Sequence, residues 1–432
     1  MQYDYNNAEK GESMLSDIIR TQKNELETKM LQNYVERDMP PEFPGDDLVK
    51  VIIGPRRSGK SCFGMKQISK SKKWAYVNFD DERLMGTDFD SIMDAINIVY
   101  GNPCAILFDE IQNMPSWELF INRMHRSGKK IYITGSNAHM LSTELATHLT
   151  GRYRQIIIFP FSYREFLRSL QHDEGTGRSG NRKSYENYLT CGGYPEIVMK
   201  NLNPSDYIST LVNAILYKDI VKRYKIRKAQ MLENLFLYLM SNIAKEYTLN
   251  SLSKAVGINS VHTVEKFLSY LEQSFLCFSI RQFSYRIKSQ LRLPRKVYAV
   301  DNSFATCIGV RFSPDFGRLC ENLVAIVLKK MEIEGGLSFY YWKNNDGEEV
   351  DFVIKRGLKI DLLIQVCFSL DKSSTYEREI RALLKCGRDL QCDKMIILSD
   401  DVEKTETARW FGITGEIRHV PISKWLENNG QI

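Results

Sequence analysis

Residues 48–61 read Leu48-Val49-Lys50-Val51-Ile52-Ile53-Gly54-Pro55-Arg56-Arg57-Ser58-Gly59-Lys60-Ser61, a short apolar run followed by Gly-x-x-x-x-Gly-Lys-Ser. The run predicts a buried strand, and the pattern after it predicts a phosphate-binding loop that opens into a helix. Glycines at both ends let the backbone wrap an anion. Successive loop N–H groups and the helix start attract its charge, and Lys60 has the length to reach the β and γ oxygens of a nucleotide. Ser61 is placed to ligate Mg²⁺. The candidate nucleotide-binding residues are therefore Gly54, Pro55, Arg56, Arg57, Ser58, Gly59, Lys60 and Ser61, with ATP and Mg²⁺ as cofactors; Arg56 and Arg57 are a further source of positive charge.

A companion lies about fifty residues on, in Cys104-Ala105-Ile106-Leu107-Phe108-Asp109-Glu110. It reads as a buried strand ending in two carboxylates, which predicts a division of labour. Asp109 holds Mg²⁺, and Glu110 polarises the water that attacks the γ-phosphate. Ile131-Tyr132-Ile133-Thr134-Gly135-Ser136-Asn137 is another strand with a polar tip; resemblance to the additional-strand class of P-loop ATPases implies that it lies between the loop strand and the acidic strand. Ser136 and Asn137 are the candidates for reading the γ-phosphate, set against a plain strand-ending turn. Arg152, in Leu149-Thr150-Gly151-Arg152-Tyr153, is the candidate cation for developing phosphate charge, in cis or from a neighbouring subunit, set against a surface salt bridge.

Working outward, LVKVIIG, WAYVNF, CAILFD, KIYITGS and RQIIIF alternate with helical patterns between residues 49 and 170, which predicts a parallel sheet covered by helices. Apolar spacing predicts a helix over 10–37, with prolines at 40, 41 and 44 stopping it. Residues 171–184 hold three glycines and no large apolar side chain, and read as a linker.

The series KVIIGPRRSGKS, NFDDERL, AILFDEIQNMPSWE, YITGSNAHML, LTGRYRQIIIFPFSYREF and YLTCGGYPE resembles a large family of bacterial and archaeal AAA-like P-loop ATPases that carry a C-terminal domain of unknown function with a restriction-endonuclease-like fold. The resemblance runs from about residue 49 to about 400. It implies ATP hydrolysis and adds Asp80 and Asp81 as neighbours of the active site, although the residues themselves read equally well as caps of the next turn. The expected fold class is α/β, with a P-loop NTPase core of the additional-strand class, then a helical and winged-helix region, then the restriction-endonuclease-like α/β domain. The boundaries fall at 1–44 for an N-terminal helical segment, 45–170 for the ATPase core, 171–184 for the linker, 185–290 for the helical lid and winged-helix region, and 291–432 for the last domain.

Residues 248–283 read as helix, turn, helix and a strand pair. Leu252, Ala255 and Val256 on the first helix, with Val261, Val264, Phe267, Leu268 and Leu271 on the second, are expected to close a small core, Ser260 to cap the second helix, and His262, Thr263, Lys266 and Ser269 to face outward. Lys222, Arg223, Lys225, Arg227 and Lys228 form one acid-free basic cluster, and Arg286, Lys288, Arg292, Arg295 and Lys296 another, so clusters 222–228 and 286–296 are candidate nucleic-acid contacts, set against solvated faces and protein packing. The restriction-endonuclease resemblance picks out Glu321-Asn322 on a helix, Glu349-Val350-Asp351 on a strand and Gln365-Val366-Cys367 on the next. A nuclease of that kind wants acid-x-Lys on the last strand. Here Gln365 takes the acidic position and Cys367 the lysine position, so Glu321, Asp351, Gln365 and Cys367 outline a degenerate site with no cation in the lysine's place.

Composition supports this frame. Apolar residues make up 43% and charged residues 26% of the 432, as in ordinary globular proteins, which excludes whole-chain disorder and fibrous folds. The net charge of +6 is too small for a histone-like phosphate binder but allows local basic patches. Nine cysteines contain no CxxC pair and six histidines do not join them at zinc spacing, so a reducing compartment and no structural zinc are expected. No stretch of about 18 apolar residues occurs, and the expected location is the cytoplasm, away from membranes. The reading is a Mg²⁺-dependent ATPase acting as a switch or motor. The alternatives are a nucleotide-gated DNA- or protein-binding module with slow hydrolysis, and a metal-dependent nuclease; a protein partner or homo-oligomer stays open.

Overall fold

The computed structural model describes residues 2–30, 33–38, 47–136, 151–174, 182–310, 315–369 and 373–430. The chain divides into two compact units, Met1–Ile158 and Phe159–Ile432.

In the first unit, helix α1 (Gln2–Met30) precedes a sheet of β1 (Val49–Ile53), β2 (Trp74–Asn78), β3 (Ala105–Asp109), β4 (Lys130–Gly135) and β5 (Tyr153–Ile157). The strand order is β2-β3-β4-β1-β5, all parallel. Parallel pairing needs crossovers, supplied among the described residues by α2 (Lys60–Ile68), α3 (Phe89–Tyr100) and α4 (Trp117–Arg126). Covered on both faces, β3 is buried along its whole length, which is why Ala-Ile-Leu-Phe reads as an unbroken apolar run. As the resemblance to the additional-strand class implies, β4 stands between the loop strand β1 and the acidic strand β3.

Helix α1 packs on α3 and β2, burying Ile18, Ile19 and Leu26. Leu26 joins Met65, Ile68, Tyr76, Ala105 and Leu107 in one apolar cluster. The helix ends at Met30 rather than running to residue 37. Tyr34 and Val35 contribute their apolar surface from non-helical chain: Val35 is buried, and the Lys66 ammonium lies 5.6 Å from the Tyr34 ring centroid.

The second unit opens with α5 (Tyr163–Glu174), α6 (Arg182–Cys191), α7 (Pro195–Lys200), α8 (Pro204–Ala214), a π-helical continuation over Ile215–Val221, and α9 (Ala229–Ser241). The segment read as a linker is thus helical at both of its ends. A small three-stranded module follows: β6 (Glu246–Tyr247), α10 (Leu249–Ala255), α11 (Val261–Gln273), β7 (Cys277–Arg281), α12 (Ile287–Arg292) and β8 (Arg295–Ala299), with strand order β6-β8-β7. Ser260 caps α11, and Leu252, Val264, Phe267, Leu268 and Leu271 are buried as expected. Ala255 is exposed instead, and Ile258 from the turn is buried, because the chain leaves the helix at Val256 and folds the next apolar side chain inward.

After α13 (Asn302–Cys307) and α14 (Phe316–Ile333) comes a six-stranded sheet of β9 (Ser338–Lys343), β10 (Glu349–Arg356), β11 (Lys359–Val366), β12 (Met395–Ser399), β13 (Lys404–Trp410) and β14 (Ile413–Pro421), with α15 (Ser373–Leu390) between β11 and β12 and α16 (Ile422–Glu427) at the end. Its order is β13-β14-β12-β11-β10-β9; β9, β10 and β11 form an antiparallel meander, while β11-β12 and β12-β14 pair in parallel. The boundary read at 290/291 falls inside the β7–β8 hairpin, since β8 pairs with β6 and β7 and not with the larger sheet. Among the described residues no helix is long and apolar enough to cross a membrane, and all nine cysteines are free.

Candidate nucleotide site and a second carboxylate cluster

The loop after β1 needs its glycines for two reasons. A Cβ on Gly54 (φ +147°) would lie 2.1 Å from the Ile158 carbonyl oxygen, where the chain leaving β5 hydrogen-bonds back to β1, so no side chain fits. Gly59 (φ +92°) sits at the N-cap of α2, and Arg57 two residues before it is also left-handed (φ +65°). Such alternation turns successive N–H groups inward into an anion-binding cradle. Lys60 is almost fully buried and donates from Nζ to the Pro55 carbonyl at 2.9 Å, folding its ammonium over the loop. The Ser58 hydroxyl is buried without a hydrogen-bond partner. An orphaned donor inside a left-handed loop, with a buried ammonium above it, fits the oxygens of a nucleotide phosphate.

Asp109 stands at the end of β3 and gathers three hydroxyls. Ser61 Oγ donates to its Oδ1 at 2.9 Å, Thr134 Oγ1 donates to the same oxygen, and Tyr76 OH donates to Oδ2 at 2.8 Å. Burial raises the Asp109 pKa, the neighbouring Glu110 adds to the rise, and the three hydrogen bonds oppose it. Burial and the Asp109 charge hold the Tyr76 phenol well above its ordinary value, which keeps it a donor. Hydroxyl and carboxylate oxygens side by side are the hard donor set that Mg²⁺ takes. Glu110 follows in a left-handed conformation (φ +51°), a strained state for a residue with a side chain. Its N–H donates to Thr134 Oγ1 at 3.0 Å, and its carboxylate accepts from the Gln112 amide. Thr134 therefore ties both acidic residues to β4.

A family model described as an AAA domain matches residues 46–167, and two described as domains of unknown function, DUF8612 and DUF4143, match 182–314 and 316–414. The uncharacterized protein MJ1544 of Methanocaldococcus jannaschii is 32% identical over 373 residues, covering 82% of each chain. The chain belongs to the AAA-like P-loop ATPase family. An uncharacterized protein of Haemophilus influenzae is 30% identical over 360 residues, covering 79% of this chain and 88% of its own. Among solved structures, the Walker-type ATPase PABY2304 of Pyrococcus abyssi is similar with a TM-score of 0.42 at 12% identity, covering 64% of this chain and 98% of its own.

Other expected residues of this AAA-like ATPase fall in different places. Ser136 is buried just beyond the end of β4, while Asn137 lies outside the described residues. Arg152 is exposed, and its carbonyl accepts from Val49 N at 3.1 Å. That places it where β1 begins, a strand's length from the loop at the other end. Asp80 faces Arg56 at 3.9 Å. Asp81 caps the short 3₁₀ turn Glu82–Leu84, and the Arg83 guanidinium holds its carboxyl down at about 2. Two further residues carry no motif. Gln22 of α1 brackets Asn78, accepting from its N–H at 2.9 Å and donating to its carbonyl at 3.1 Å, and Arg37 donates to the Ser58 carbonyl at 3.1 Å. Thr134 was visible as the polar residue before Gly135; Tyr76, Gln22 and Arg37 read as ordinary core or surface.

In the second unit, Glu321 on α14, Asp351 on β10 and Gln365 on β11 come together as the sequence order suggests. Asp351 N–H donates to Gln365 Oε1 at 3.2 Å, and Val366 N–H donates to Asp351 Oδ2 at 3.0 Å. Cys367 is buried, its thiol pushed up to about 11 by burial and by Glu379 and Asp351, and it donates to the Ser369 carbonyl. The expectation that no cation replaces the missing lysine is corrected. Lys296 of β8 places its Nζ 2.8 Å from Glu321, 2.6 Å from Glu349 and 3.1 Å from Asp351. This also removes Lys296 from the basic cluster 286–296, because its side chain is buried.

Proposed function

We propose that this AAA-like ATPase binds ATP with Mg²⁺ and hydrolyses it, working as a nucleotide-driven switch or motor. The observation that carries the reading is the junction at Asp109, where the loop hydroxyl Ser61, the middle-strand hydroxyl Thr134 and the strained Glu110 meet. In this reading the loop N–H groups and Lys60 grip the β and γ oxygens, and Ser61 and Asp109 hold Mg²⁺. When bound, the ion supplies neutralisation of charge on those oxygens. Glu110 orients the attacking water and takes its proton, while Thr134 fixes the backbone of that base. Ser136, just beyond the end of β4, is set to read the γ-phosphate, and Arg152, exposed at the far edge of the sheet, is left to serve a neighbouring copy.

Lys60→Ala and Glu110→Gln are each expected to lower turnover by roughly 10²–10⁴-fold, the second while still retaining nucleotide. Steady-state hydrolysis with labelled-nucleotide binding checks both, and undiminished turnover in the two variants removes the assignment.

A second reading, a nucleotide-gated module for nucleic acid, is favoured by the β7–β8 connection. The order helix, strand, two helices, strand, short helix, strand supports a winged helix with α12 in the wing connection, which exposes Arg286, Lys288 and Arg292 beside Tyr285 (72% exposed) and Ile287 (73%). Cations that neutralise phosphates make binding salt-dependent. Replacing the three wing cations with alanine should flatten the slope of log affinity against log salt by about 2.7 on duplex DNA. Absence of binding to labelled duplex and single strands at low salt sinks this reading.

A further inference from the structure

The Lys296 ammonium has three protons to donate, and the structure gives it three carboxylates: Glu321 Oε1, Glu349 Oε1 and Asp351 Oδ1 at 2.8, 2.6 and 3.1 Å. The Tyr341 ring stands 5.6 Å away, and Tyr298 OH donates to Glu321 at 2.7 Å. Carboxylates contributed by a helix and a strand, converging on one point, are the arrangement that holds a divalent ion in metal-dependent phosphodiester chemistry. Here that point is a nitrogen. Its oxygen shell has the radius of an ammonium hydrogen-bond sphere, a few tenths of an ångström wider than the 2.0–2.6 Å shells of Mg²⁺ or Ca²⁺. Consistent with that spacing, no group of three or more His, Cys, Asp or Glu residues among the described residues is arranged to hold a metal.

We propose that Lys296 is the resident cation of this carboxylate site. It occupies the place of a divalent ion, closes the C-terminal sheet to metal and hence to metal-dependent strand cleavage, and fastens the base of the wing hairpin to that sheet. The fastening follows from the register. Lys296 pairs with Glu246 of β6 and Ile280 of β7 through its backbone, while its side chain reaches α14 and β10. Lys343 extends the joint, bridging Glu246 at 2.7 Å and Glu349 at 3.6 Å. The lysine is 2% exposed and Asp351 is buried beside it, so of the three carboxylates Glu349 alone is as much as 28% open to solvent. Burial alone would discharge the ammonium, yet the surrounding carboxylates hold its pKa well above the ordinary value, so it stays a cation.

The test uses the full chain without nucleotide and Mn²⁺ alone as the probe. For the wild type, millimolar Mn²⁺ should leave the unfolding midpoint of the second unit unchanged. Lys296→Ser should lower that midpoint by roughly 10 °C, and Mn²⁺ should recover several degrees of the loss, with the ion visible as bound by electron paramagnetic resonance. Adding Asp351→Asn to Lys296→Ser should abolish the recovery. If Lys296→Ser does not fold, Lys296→Met paired with Asp351→Asn supplies the second measurement: removing charge from both sides should regain stability that Lys296→Met alone has lost. The proposal is overturned if wild-type protein binds Mn²⁺ in a manner lost with Asp351→Asn, if Mn²⁺ gives Lys296→Ser no recovery, or if the double replacement is no more stable than Lys296→Met.

Discussion

Asp109 and Asp351 are both buried aspartates on interior strands, each carboxylate accepts hydrogen bonds on both oxygens, and burial raises the pKa of each. What differs is the company. Asp109 is held by the hydroxyls of Ser61, Thr134 and Tyr76, which orient its oxygens without cancelling its charge. Asp351 is held by the ammonium of Lys296, which cancels charge at the same time. A site dressed in neutral donors keeps its negative potential for an incoming cation, and only weak neutral bonds have to be exchanged when one arrives. An ion pair buried among several carboxylates is already satisfied, and breaking it leaves an uncompensated charge worth about 3–5 kcal/mol. The two units of this chain thus contain the same residue type in one receptive and one saturated form.

That contrast can be broken most severely by exchanging the two aspartates for asparagine in turn. Asp109→Asn should reduce ATP turnover by roughly 10²–10³-fold, since it removes the charge facing Ser61. Asp351→Asn should leave kcat within about twofold of wild type while lowering the unfolding midpoint of the second unit. Equal losses of turnover in both would erase the distinction. A sharper probe of the hydroxyl dressing is Thr134→Val, which keeps shape and deletes the bonds to Asp109 and Glu110. About a tenfold fall in kcat is expected, with nucleotide affinity nearly unchanged, because Thr134 touches the acidic pair and not the loop. Equilibrium binding measured beside turnover separates the two.

The smallest expected effect is a slope. Burial first, and Asp351 next, push the Glu321 carboxyl up to about 7 despite Lys296. A carboxyl whose folded pKa exceeds its unfolded one binds more protons when folded, so stability falls as pH rises from about 4.5 through about 7 and then levels off. Glu321→Gln cannot titrate, and its denaturant midpoint should change less between pH 5 and pH 8 than that of the wild type. An unchanged slope would place the titration elsewhere.

How far these two sites were legible in the sequence follows from the range of the interactions. Gly54 to Ser61 and the Asp109-Glu110 pair are local patterns, because a phosphate loop and a strand end are made by consecutive residues, and the alternating runs from 49 to 158 imposed the parallel sheet. Strand β13 escapes the sequence because Lys-Thr-Glu-Thr-Ala-Arg-Trp lies at the sheet edge and has no buried residue to mark it. The sequence groups Lys296 with the basic run 286–296, a candidate nucleic-acid contact or a solvated face. Its burial depends on Glu321 and Asp351, which lie 25 and 55 positions away, and no local periodicity encodes such a contact. Tyr76 looked like any core aromatic, since only the neighbouring strand shows what its hydroxyl meets.

Helix α1 gives the molecule a practical lower limit on dissection. The AAA match begins at residue 46, yet Ile18, Ile19 and Leu26 are already seated against the sheet and Gln22 satisfies both backbone groups of Asn78. Cutting at the family boundary would bare that flank of β2 and strip the Arg37 bond from the phosphate loop. The smallest self-sufficient piece of the AAA-like fold in this protein is therefore larger than its recognisable domain, and a fragment begun at residue 46 would be an unreliable stand-in for the phosphate loop of the whole.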